Sequence, residues 1–168
     1  HTVIDQLEPV YRQLFDEEVT QPETGRMLGF EAQAHLGSEV DGDYDLYGYL
    51  EDDLLIHDPL FFQKIQWFQG LMGDQAVLLP QRVELAPAPH LVDRFYIDGP
   101  LPESDCRALI PEPGPVVVAQ APGGEVAFES PLNPHAGCFF LNRAQLQAWM
   151  KQPFWLDRDC RFISALES

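Results

Sequence analysis

A chain of 168 residues, 45% hydrophobic and 11% aromatic, has the length of one domain and enough apolar material for a core. Its 27 Asp and Glu against 10 Lys and Arg leave a formal net charge of −17, which argues against nucleic acid or an anionic membrane surface as a partner. There is no apolar run of the roughly 18 residues that a spanning helix needs, and His1-Thr2-Val3-Ile4-Asp5 has neither the basic start nor the apolar core of a leader. Cys106, Cys138 and Cys160 are widely spread with no CxxC spacing, which reads as reduced thiols and a cytoplasmic setting.

In chain order, Val3 to Phe15 carries helix formers with apolar residues at Val3, Leu7, Val10, Tyr11 and Leu14, weakened by Pro9. After a break at Gln21-Pro22-Glu23-Thr24, a second helix is expected from about Gly25 to Leu36, stopped by Gly37-Ser38. Asp41-Gly42-Asp43 is a turn, and Asp45 to Leu50 a strand apolar enough to be central. Asp58-Pro59 predicts a helix opening, with Asp as N-cap and Pro at the first helical position. That helix buries Phe61, Ile65 and Phe68 and ends at Gly70 and Gly73.

Ala76 to Leu79, Arg82 to Leu85 and Leu91 to Ile97 read as strands, and Asp98 to Pro115 as a surface excursion. Val116 to Gln120 and Glu125 to Glu129, joined by Pro122-Gly123-Gly124, predict an antiparallel hairpin. Gly137 to Leu141 is a short buried strand, and Asn142 caps a helix from Arg143 to Lys151 that Pro153 breaks. A last helix starts near Asp157, and its apolar residues Phe162, Ile163, Ala165 and Leu166 are still in register at Ser168 with no stop signal. The start without Met and this missing stop predict that the native polypeptide continues.

The chemistry concentrates where the strand ends. Glu51-Asp52-Asp53 follows Leu46-Tyr47-Gly48-Tyr49-Leu50, and Leu54-Leu55-Ile56 resumes at once. Asp16-Glu17-Glu18 reads as a solvated acidic surface, whereas three adjacent carboxylates between apolar runs repel one another unless a cation sits there. Hard divalent cations prefer carboxylate oxygens. Asp41-Gly42-Asp43-Tyr44-Asp45 has the alternating acids of an EF-hand loop, but Leu46 stands at position six where Gly is needed, and Asp52 at position twelve in place of Glu. A looser calcium-binding or acidic interaction module stays open on these residues. No Gly-rich phosphate loop, nucleophile elbow or zinc spacing is present.

The stretch Asp43 to Ile56 followed by a helix resembles the central segment of GT-A-fold glycosyltransferases, and Asn133-Pro134-His135-Ala136-Gly137-Cys138-Phe139-Phe140-Leu141 is similar to their later loop and strand. The resemblance covers roughly Gly29 to Leu166. It implies an α/β fold, a GT-A-like mixed sheet flanked by helices, lacking the N-terminal β-α-β nucleotide-binding half, so that the single domain of residues 1–168 is a fragment of a longer one. It implies transfer of a sugar from a nucleotide-diphosphate-sugar donor to an acceptor hydroxyl with Mn²⁺ or Mg²⁺. Asp53 is then the metal ligand with His135 as a second candidate, Glu51 or Asp52 holds the ribose or the metal, and Arg82 is a candidate phosphate contact. Asp157 and Asp159 are candidate catalytic bases for the acceptor hydroxyl, although Asp157 also fits a helix cap and His135 a turn. The alternative is a non-catalytic acidic module that binds metal or a partner protein. An incomplete sheet predicts that its edge is either left open or paired with another molecule and, if open, that the chain is inactive without the upstream half.

Overall fold

Helices form where apolar residues recur at helical spacing, and strand pairs where β-branched and aromatic runs meet turn residues. The computed structural model describes residues 28–51, 53–85, 94–96, 99–104, 114–121, 123–134 and 137–157. Among them are helices α1 (Leu28–Ser38), α2 (Phe61–Met72) and α3 (Arg143–Met150). The strands are β1 (Tyr47–Leu50), β2 (Val83–Leu85), β3 (Arg94–Tyr96), β4 (Val117–Ala121), β5 (Gly124–Phe128) and β6 (Cys138–Leu141). The protein is therefore mixed α/β, and its described strands pair antiparallel in twos: β1 with β6, β2 with β3, β4 with β5. None of the described helices is long and apolar enough to cross a membrane. The strand expected from Asp45 begins only at Tyr47. Among the described residues its one strand neighbour is β6.

The described residues fall into two compact units, one drawn from His1–Leu78 and Gly137–Ser168, the other from Leu79–Ala136. In the first, the β1–β6 ribbon has helices on both faces. Tyr47 opposite Leu141 and Tyr49 opposite Phe139 share one face. There Tyr47, Leu141 and Leu146 form a buried cluster, joined by Leu36 of α1, Trp149 and Met150 of α3, and Val40, Phe139 and Trp155. A run of aromatic contacts continues it: Tyr49 stacks on Phe139 at 5.7 Å, Phe139 meets Trp149 edge-on at 5.3 Å, and Trp149 meets Trp155 at 4.8 Å.

The other face carries Gly48 opposite Phe140 and Leu50 opposite Cys138. Cys138, Phe140 and Ile65 of α2 are buried together, with Leu46, Leu54, Ile56, Phe61 and Leu78 packed against them. Phe140 is the keystone of this layer. Its ring lies edge-on to Phe61 and Phe62 at 5.3 and 5.4 Å, and a Cβ on Gly48 would stand 2.5 Å from two of its ring carbons. Burying a side chain such as Ile65 stabilises the fold by about 1.5–3 kcal/mol relative to exposure.

Several boundaries differ from the sequence expectation, each for a local reason. α1 runs through Gly37, which is small enough for the Trp155 ring to pack against the helix. α2 starts at Phe61, because the Asp58 carboxylate accepts from the Leu60 N–H, two residues on, at 2.9 Å, so Asp58-Pro59-Leu60 is a turn ahead of the helix. The same helix passes through Gly70 and ends at Gly73, where φ is +62°. Its buried residues are Ile65 and Phe68, with Phe61 half-buried. Ala76 to Leu79 is not a strand: the Ala76 carbonyl accepts from Gln145 Nε2 at 2.7 Å rather than from a neighbouring strand.

α3 opens with the expected cap. Asn142 Oδ1 accepts from the Gln145 N–H at 2.8 Å, while Gln145 Oε1 accepts from the Asn142 N–H at 2.9 Å. In the second unit, β4 and β5 form the expected hairpin, closed by the pairing of Ala121 with Gly124, and Gly124 takes φ +126°. Ala119 is its buried member. The expected helices within residues 3–15 and after Asp157 lie outside the described residues.

Candidate functional site

The acidic stretch is built by a strand that ends and a turn that follows. The Glu51 N–H donates to the Gly137 carbonyl at 2.9 Å, extending the β1–β6 pairing by one step. The Leu54 N–H then donates to the Glu51 carbonyl at 3.2 Å and turns the chain back. Leu54 and Ile56 drive this reversal by packing into the α2-side cluster, while Leu55 between them is 84% exposed.

The two described carboxylates of the motif consequently differ. Glu51 is half-buried, with Oε1 sealed from solvent, whereas Asp53 projects from the turn and is exposed. Asp52 lies outside the described residues. The strand that carries them is less buried than its composition implies: Tyr47 is sealed, but Leu50 is 38% exposed.

The other sequence candidates divide as follows. Arg82 is half-buried just ahead of β2, in the unit drawn from Leu79–Ala136. Asp157 is exposed, and its N–H donates to the Phe154 carbonyl at 3.0 Å, one of two successive turns in which the Trp155 N–H also donates to the Gln152 carbonyl at 3.1 Å. Leu156, directly before it, takes the left-handed φ of +57°, uncommon for a residue with a Cβ. His135 and Asp159 lie outside the described residues.

Among the described residues no three His, Cys, Asp or Glu side chains come together as a metal-holding group. Mg²⁺-type ions that bridge to a substrate are held by one or two carboxylates, with phosphate oxygens and water completing the shell. Of the two described carboxylates of the motif, exposed Asp53 could supply one such ligand, whereas Glu51 Oε1 is sealed from solvent.

The acidic turn before β1 is used differently. The Tyr47 hydroxyl lies 3.0 Å from both the Val40 and the Gly42 carbonyls, and the Arg143 guanidinium donates to the Gly42 carbonyl. A hydrogen bond with the Tyr47 oxygen, and then the nearby Asp43 and Asp41 carboxylates, hold Arg143 above its ordinary pKa. Tyr47, which would offer its carbonyl as the seventh position of a calcium loop, stands in the strand ladder opposite Leu141. The turn carbonyls thus serve the fold.

Sequence reading singles out neither Arg143 nor Gln145 as a long-range tie. Gln145 is buried and joins α3 to Ala76 and, at 3.4 Å, to Gln69 of α2. Its only sequence signal is its place three residues after Asn142, which announces the capping box and not the distant partners. No protein-family model matches the chain, and neither does any curated protein or solved structure.

Proposed function

We propose that this chain is the acidic-motif and acceptor-side portion of a metal-dependent glycosyltransferase of the GT-A kind, transferring a sugar from a nucleotide-diphosphate-sugar to an acceptor hydroxyl. One observation carries the reading. The two stretches that bear the resemblance, Asp43 to Ile56 and Asn133 to Leu141, are far apart in sequence, yet β1 and β6 pair and the Glu51 N–H meets the Gly137 carbonyl.

The net charge of −17 repels an anionic donor, so the donor needs a cation between it and the protein. What Mn²⁺ or Mg²⁺ supplies when bound is neutralisation of the diphosphate and of the charge that grows on the leaving group. In this reading Asp53, which is exposed, is the metal ligand. Glu51, anchored through its backbone, orients the turn and is a candidate for the ribose or the metal. Asp52 remains a further donor-side candidate from the same motif. Asp157 or Asp159 takes the proton from the acceptor hydroxyl.

Thermal unfolding with and without Mn²⁺ tests the metal. A ligand bound only by the folded state at a hundredfold excess over its Kd adds about 2.7 kcal/mol. Asp53→Asn is expected to lose most of that gain. An equal melting shift in the variant, or none in the parent protein, overturns the assignment. Titration with UDP or GDP separates a transferase from a non-catalytic acidic module: binding that requires the divalent ion supports the first, and a metal shift without nucleotide binding in the upstream-extended polypeptide supports the second.

A further inference from the structure

We draw no further inference here: the strongest candidate, the exposed outer face of the β4–β5 hairpin around Val116, Val118 and Ala127, carries none because nothing in the structure shows what covers it.

Discussion

A glycine in a strand ordinarily weakens it, and Gly48 is kept because of its neighbour across the ribbon. Phe140 leans over the bare Cα, held from the other side by Phe61 and Phe62. Gly48→Ala places a methyl group 2.5 Å from the Phe140 ring, so either the ring or the strand must move. Overpacking of this kind costs about 1–3 kcal/mol, with each kcal/mol lowering Tm by roughly 2–4 °C in a chain of this size. Adding Phe140→Leu to Gly48→Ala should make the pair less damaging than the sum of the two singles. A neutral Gly48→Ala, or strict additivity, shows that the ring is free to shift. At the same scale the structure gives Glu51 and Asp53 different environments, a distinction that three consecutive acidic letters do not carry.

At the level of elements, the start of α3 does two jobs. Asn142 satisfies a helix-end N–H, and losing such a cap costs about 0.5–2 kcal/mol. Gln145 closes the same box and also holds the Ala76 carbonyl. Gln145→Leu should therefore cost more than Asn142→Ala, since a buried polar group deprived of its partner costs about 1–3 kcal/mol. Urea midpoints at unchanged m-value provide the comparison, and the reverse order would mean that the Gln145 bridge contributes little. The turn ahead of α2 predicts a pH effect. Lys64, and then the Leu60 N–H, hold the Asp58 carboxyl below its ordinary value. A depressed folded pKa gives stability that is fully present above the unfolded value near ~3.9 and is lost as pH falls through the folded value. The stability difference between the parent protein and Asp58→Asn should be flat near neutral pH and shrink in acid, and the exposed position makes it small and salt-sensitive. A difference that grows on acidification would contradict this account.

For the whole molecule, charge is the dominant long-range term. With 27 acids against 10 Lys and Arg, the folded chain repels itself. Raising NaCl from about 0.01 M to about 1 M shortens the Debye length from roughly 30 Å to 3 Å and should raise Tm. The same screening should promote self-association through the β1 edge, which has no strand beside it among the described residues. Sedimentation at both salt concentrations checks this. A monomer throughout removes the edge-pairing expectation, and a Tm insensitive to salt removes the self-repulsion argument.

What the sequence determined by itself was local. The Asn142 cap, the hairpin around Pro122 to Gly124, the apolar face of α2 at Ile65 and Phe68, and the Asp41-Gly42-Asp43 turn are each written in a few neighbouring residues, because capping, turn geometry and helical period act over one to four positions. The acidic motif was legible as a chemical anomaly in the same way. Only the tertiary structure decided that β1 pairs with β6, that Glu51 meets Gly137, that Phe140 covers Gly48, and that Ala76 is taken by Gln145 instead of a strand. Those contacts join residues separated by long loops, and their selection depends on closing the loops and on how side-chain volumes fit once closed, neither of which leaves a periodic trace in the chain.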